Sequence, residues 1–493
     1  MDTSISEARR EVQNAMERVL RCAEGTAPRR FDEFDKELWP AMLALGRTLA
    51  VLFLAHQCAH WRRKDYVHGG RRYELGKTRT TELGTRYGKV PFRRPFGRRV
   101  GSRGGAKDRP VDRALGLVSG FSLNVVMTMT KLCAQMAFAG ASGTYRDIFD
   151  WAPSPRAVLR MVDAVGGEAR GFLEQAPAPD EDGEVLVVQM DARGARHLSA
   201  ATYRKRCRPH EKTTGTRRHG RRLRRKGAGR ARRKKGQKSG NSKVAFMGVI
   251  YTLRRTPDGL EGPINKRLIA TFESHEALFI WLRREADKRG YGRKETLFLA
   301  DGSDHIWRLQ EIYFPDAKVC LDWYHVVEYL WAAGQSLYSE GSEELAAWVG
   351  RQARLLRRGA ALAIIKGLRK SLANIPRTGP GNKGKRERLE KTIGYIEGHL
   401  PRLNYAEFRA HDFDIGTGAA EGAIKNLIGV RLDGGGMHWG RQRSERVLLL
   451  RCILLNGQWD EFSRYLSTKR GFTLASKPEP AQTYDAEPNA LVA

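Results

Sequence analysis

Cysteine is scarce in this chain: six residues in 493, at positions 22, 58, 133, 207, 320 and 452. None is spaced C-x-x-C, and a chain this long needs no disulfide framework, so free thiols in a reducing cytosol are expected. A zinc site is disfavoured as well. "HQCAH" groups His56, Cys58 and His60, but no second pair nearby completes four ligands. Long apolar runs are also missing. No stretch reaches the roughly 18 consecutive apolar residues of a membrane-spanning helix, and the opening "MDTSISEARREVQNAMERVL" has no apolar signal region. No internal repeat is present, which excludes solenoid arrays. The composition is short of acid above all, with 55 Asp+Glu against 88 Lys+Arg, a net charge of +33 and a pI of 10.2. Such a field draws polyanions and makes their binding salt-dependent. Nucleic acid is therefore favoured over an anionic membrane, for which no lipid anchor is evident.

What is present can bury a core. The chain is 41% hydrophobic and holds 18 Phe, 15 Tyr and 10 Trp, which argues against general disorder. At one domain per ~150 residues, about three domains are expected. Residues 1–60 carry apolar spacings of three and four and predict helices. Residues 70–110 are rich in Gly, Pro and Arg and predict a small β-hairpin or loop, either a solvated basic loop or a contact to a DNA backbone. Residues 121–175 return to helical spacing. Their third helix opens with Ser154 as N-cap and Pro155 at the first position, and Gly166 lies near its expected end. It sets Val158, Val162 and Val165 on one face and Arg156 and Arg160 on another. This is a helix-turn-helix outline that points Arg156 and Arg160 at DNA, or else an ordinary three-helix packing unit.

"APAPDEDGE" (176–184) reads as a linker, after which strands are expected. "VLVVQMDA", "KVAFMGVIYTLRR" and "KRLIATFE" predict three strands. A helix with Ser274 as N-cap follows, then the strand "ETLFLADG", a helix, and a fifth strand in "AKVCLDWYH". That order is mixed α/β. Between the first two strands, residues 203–243 hold 19 Lys+Arg and a single acid, Glu211. The segment repels itself and suits phosphate contacts. Its candidate DNA-binding residues are Arg217, Arg218, Arg221, Arg222, Arg224, Arg225, Lys226, Arg232, Arg233, Lys234 and Lys235. Residues 326–410 predict helices broken at 376–388, with Trp331 and Trp348 in their core; 416–432 predicts a further helix.

Cutting a phosphodiester without an organic cofactor commonly relies on two divalent metals about 4 Å apart, clamped by carboxylates. Mg²⁺ takes oxygen ligands and keeps waters, so two or three acids on a rigid scaffold suffice. Asp191 ends the first predicted strand and Asp301 the fourth, and the two project together if those strands are neighbours. Glu421 falls in the first turn of a helix that Thr417 can cap, among Ala419, Ala420 and Ala423, small enough for close packing on a sheet. Asp322 is the rival second ligand. Asp301 is preferred because Gly302 beside it permits close approach of substrate, while Asp304 reads as a helix-end charge. His325 is either an accessory to the site or a buried structural histidine.

The series Asp191, "ADG" at Asp301, "FPDAKVCLDWYHVVEYLW" and "GTGAAEGAIKNLIGVRLDGGGMHWG" resembles the DDE transposases of bacterial insertion sequences, closest to the Kra-type group. "YTLRRTPDGLEGPINKR" is also similar to that group, and the resemblance spans roughly residues 120–460. It implies an RNase H-like mixed sheet with a helical insertion, preceded by the all-α helix-turn-helix-like region. The expected division is 1–120 helical and basic; 121–175 helix-turn-helix-like; 185–325 first core part; 326–410 helical insertion; 411–467 second core part; 468–493 disordered tail. It also implies Asp191, Asp301 and Glu421 as catalytic ligands of Mg²⁺, with Mn²⁺ as substitute. They would act on double-stranded DNA at the element ends and target, in a homodimer or higher assembly at the bacterial nucleoid. A non-catalytic nucleic-acid binder and a stand-alone RNase H-like nuclease are the competing readings.

Overall fold

The structure is a computed structural model describing residues 3–24, 28–59, 61, 65–101, 107–198, 242–434, 437–469 and 471–474. The candidate DNA contacts from Arg217 to Lys235 lie outside the described residues, as do His60, Cys207 and the end of the tail. The chain divides into two compact units, residues 1–172 with 458–493, and residues 173–457.

The first unit opens with two helices, α1 (Thr3–Ala23) and α2 (Phe31–Ala59), packed together. The strands β1 (Asp65–His68), β2 (Arg71–Thr85), β3 (Gly88–Arg99) and β4 (Lys107–Asp108) follow as one antiparallel sheet in that order. The expected hairpin is thus the β2–β3 pair, turned at Thr85–Gly88. Gly88 sits at φ +123, where a side chain would be strained. Alternation along β3 buries Val90 and Phe92, which pack with Leu83, Val111 and Leu54 of α2. By length and composition α2 alone among the described helices is apolar enough to cross a membrane, against the expectation of none. Expectation and helix differ because its charges and polar residues are spaced rather than absent. Ala50, Val51, Leu54 and Cys58 lie against the sheet core, while Trp39, Met42, Leu49 and Phe53 are exposed. Burial pushes the Cys58 thiol up to about 11.

Three helices follow: α3 (Pro110–Ala114), α4 (Leu123–Gln135) and α5 (Phe138–Phe149). The Ser122 hydroxyl caps α4 by accepting from the Val125 N–H at 3.4 Å. In α6 (Pro155–Gln175) the Ser154 hydroxyl likewise accepts from Ala157. Val158, Val162 and Val165 are buried, and Arg156 and Arg160 are exposed. The helix continues well past Gly166. Its three glycines, Gly166, Gly167 and Gly171, cost it about 1 kcal/mol each, which the burial of Ala169, Phe172 and Leu173 offsets.

The second unit is α/β, with a five-stranded mixed sheet. Its strands are β5 (Val185–Arg196), β6 (Ser242–Thr256), β7 (Gly259–Thr271), β8 (Glu295–Ala300) and β9 (Lys318–Leu321), in the spatial order β7-β6-β5-β8-β9. β5, β6 and β7 pair antiparallel, while β5, β8 and β9 pair parallel. Central β5 is buried from Val185 through Met190, as its continuous apolar run requires. The helices α7 (His275–Lys288) and α8 (Asp304–Tyr313) connect the strands, and the Ser274 hydroxyl caps α7. An insertion of α9 (Trp323–Gly334), α10 (Glu343–Arg357), α11 (Ala361–Ala373), α12 (Asn382–Gly398) and α13 (Tyr405–Ala410) follows β9. The expected break at 376–388 is shorter, because residues 382–388 already belong to α12. Trp331 is 40% exposed rather than core, whereas Trp348 packs against Tyr338 and over Gly334.

The supposed linker 176–184 is pinned at its end. Asp182 accepts from the Arg289 guanidinium at 2.6 and 2.8 Å and from Thr252 at 2.8 Å. α14 (Gly418–Ile424) and a π turn, Lys425–Gly429, replace the single helix expected at 416–432. α15 (Arg441–Leu455) covers β7. Beyond it the Asn456 side chain bonds both the N–H and the C=O of Leu268 at 2.8 and 3.2 Å, satisfying backbone groups of an edge strand.

Candidate active site

The pairing register lines up three aspartates. β5 and β8 pair from Val185↔Glu295 to Gln189↔Leu299, and β8 and β9 pair up to Ala300↔Leu321. Continued at the same offsets, these ladders set Asp191 level with Asp301, and Asp301 level with Asp322. Asp191 does not end its strand as expected, since β5 runs on to Arg196 paired with β6. Asp191 instead marks where β5 outlasts its parallel neighbour.

Asp191 and Asp301 are both half-buried. Each carries one backbone hydrogen bond: Asp191 Oδ1 accepts from Ala192 at 2.6 Å and Asp301 Oδ1 from Ser303 at 3.1 Å. The second oxygen of each has no partner among the described residues. Burial pushes the Asp191 carboxyl above the usual range, and the negative charges of Asp301 and Glu421 push it further, so the three acids share one field.

Glu421 reaches this field because α14 is clamped onto the sheet. Ala420 and Ala423 are buried, and the helix packs on β5 and β6. The clamp is Gln189, fully buried on β5. Its Oε1 accepts from the Ala420 N–H at 3.1 Å, while its Nε2 donates to Tyr251 at 3.0 Å and to the Gly416 carbonyl at 3.4 Å. Thr417 occupies the N-cap position, but its hydroxyl does not cap α14; with its N–H it donates to Asp322 Oδ1, at 2.9 and 2.7 Å. The Lys425 ammonium stands 3.6 Å from Glu421 Oε2.

Asp322 is fully buried, and both its oxygens are engaged. Oδ1 takes the two Thr417 donors, and Oδ2 takes the His325 N–H at 2.9 Å and His325 Nδ1 at 2.6 Å. Burial pushes its carboxyl up, but the bonds from His325 and Thr417 outweigh this and hold it below the usual range. A carboxylate so occupied has no lone pair turned to a metal or substrate. His325 is held the other way: the hydrogen bond to Asp322 raises its pKa to about 9, with Asp301 and Glu328 adding to the effect. His325 in turn lowers the Asp191 carboxyl, which links it to the field of the acids.

Gly302 does not open the site to substrate. A Cβ there would fall 2.3 Å from the Tyr395 ring of α12, which stacks on Tyr329 of α9 with centroids 3.8 Å apart. The glycine admits Tyr395, which brings the helical insertion against the turn after β8. Asp304 takes the first position of α8, as a helix-end charge would. Sequence reading missed Gln189 and Tyr395, and gave Thr417 a capping role in place of its bonds to Asp322. A polar residue inside the apolar run "VLVVQM" was the one available signal, since a buried amide must find partners.

The donor chemistry fits a hard divalent cation: three carboxylates, two with a free oxygen, inside a half-buried and mutually repelling set. Their placement is looser than a closed metal shell, and among the described residues no three His, Cys, Asp or Glu side chains are grouped to hold an ion. No protein-family model matches the chain, and no curated protein matches it either.

Proposed function

We propose that the chain is a DDE-type DNA transposase, a polynucleotidyl transferase with an RNase H-like core carrying the helical insertion described above. The observation that carries the reading is the β5–β8 ladder ending at Gln189↔Leu299, whose offset carried on two residues would set Asp191 level with Asp301, while Gln189 holds the Glu421 helix against the same strand. Strand order supports it: an antiparallel trio followed by two parallel strands, with the last acid beyond the helical insertion. Asp191, Asp301 and Glu421 would hold Mg²⁺, or Mn²⁺ in its place. When bound, such an ion supplies an activated water and charge stabilisation at the phosphate. The protein's own groups do the rest. Asp322 fixes the His325 ring through Nδ1, which leaves Nε2 to donate to a phosphate oxygen. The Tyr329–Tyr395 stack closes the Asp301 turn on the insertion side. The partner would be double-stranded DNA, both element ends and target, gripped by residues 203–243 and by Arg156 and Arg160. Pairing two ends calls for a dimer or larger assembly at the nucleoid.

The test is a cleavage and strand-joining assay on a duplex carrying the element's terminal repeat, with Mg²⁺, Mn²⁺ or EDTA. Nicking and joining should require metal and vanish in Asp191→Asn, Asp301→Asn and Glu421→Gln. Cut products that never join would point to a nuclease. The looseness of the acid cluster favours a second reading, a nucleic-acid-binding protein without catalysis. Tight DNA binding with no metal-dependent change in any strand would decide for it.

A further inference from the structure

A cluster of cations in the first unit is only partly answered by acid. The β2–β3 register sets Arg79 directly across from Arg94, a like-charge pair that is destabilising unless answered. Arg109, just before α3, joins them. The three guanidiniums surround the half-buried ring of Phe96, at 5.7, 5.4 and 5.9 Å from its centroid for Arg79, Arg94 and Arg109. Arg94 is 4% exposed and paired to Asp112, yet its buried Nε has no hydrogen-bond partner among the described residues. Asp112 is a weak answer to three cations, since burial pushes its carboxyl above the usual range despite Arg94 and Arg109. The other nearby acid, Asp108, is taken up by Arg113 at 2.8 Å and Tyr66 at 2.6 Å. Arg79 and Arg109 are exposed, with no acceptor among the described residues. Flanked by exposed guanidiniums, the ring is a rigid apolar floor on a paired sheet, and guanidinium forks suit phosphate oxygens.

We infer that Arg79 and Arg109, seated on Phe96 above the Arg94–Asp112 pair, form a binding site for phosphates of a nucleic-acid backbone. The choice of a nucleic acid as the anion rests on the DNA-processing reading; the cation cluster does not.

The test uses full-length protein and a short fluorescein-labelled DNA duplex of arbitrary sequence, titrated over a series of salt concentrations, with an RNA duplex and a sulfated polysaccharide as parallel arms. Arg79→Ala with Arg109→Ala should weaken binding roughly tenfold at low salt and flatten the slope of log affinity against log salt by about 1 to 2. Arg79→Lys with Arg109→Lys should keep most of that slope. Both residues are exposed, so a melting curve should show each double variant folded. An unchanged slope in a folded Ala variant overturns the inference, as does a loss confined to the polysaccharide. If no variant ever cuts DNA yet the slope still falls, the transposase reading fails and this site stands; if cutting is normal and the slope is unmoved, only this site fails.

Discussion

Asp301 and Asp322 follow the last residues of β8 and β9, adjacent parallel strands, and lie level with each other. In sequence each closes an apolar run. Their surroundings differ sharply. Asp301 keeps one oxygen free in a half-buried setting beside Asp191. Asp322 is buried, with Thr417 from 95 residues away on one oxygen and His325 on the other. Equivalent positions at neighbouring strand ends therefore differ: one carboxylate keeps an oxygen without a partner among the described residues, and its neighbour ties separate pieces of the chain together. Asp322 joins the end of β9, the start of α9 and the start of the Glu421 helix.

The largest expected effect separates the two most cleanly. Asp301→Asn should lower metal-dependent strand cleavage by about 10²–10³-fold, while its urea midpoint stays close to wild type. Wild-type cleavage in that variant would remove Asp301 from the chemistry. Asp322→Ala should act on folding first. It strands two buried Thr417 donors and frees the partly exposed His325 ring, at a cost of about 1–3 kcal/mol. A chemical denaturation curve matching wild type would show that the tie carries little. Gly302→Ala pushes a methyl into the Tyr395 ring, and overpacking of this kind costs about 1–3 kcal/mol. Pairing it with Tyr395→Ala should recover part of the loss, and additive losses would mean the two residues do not meet.

The smallest effect is a pH dependence. His325 has a folded pKa of about 9 against 6.5 for the free side chain. A raised pKa contributes stability that is complete below about 6.5 and is lost as pH rises through about 9. The melting-temperature gap between wild type and His325→Gln should therefore be widest near pH 6 and close, by a few degrees, above pH 9. A gap that stays constant over that range would mean that the ring is not protonated against Asp322.

The sequence by itself determined most of the elements and their kinds. Alternation and apolar runs marked the five strands of the second unit, and Ser122, Ser154 and Ser274 accept at helix starts because capping is a local bond over three residues. Carboxylates next to strand ends were legible for the same reason: strand limits and neighbouring residues lie on one short stretch of chain. Tertiary structure alone decided which aspartate stays available. Asp322 is saturated by a threonine far along the chain, Gly302 makes room for a tyrosine of the insertion, and the Glu421 helix docks through a glutamine on β5. It also decided that Arg79 faces Arg94, because strand register is set by the packing of a whole face rather than by either residue. These choices follow from which donors and rings meet after the chain has closed loops of tens to hundreds of residues, and periodicity along the chain carries no record of such meetings.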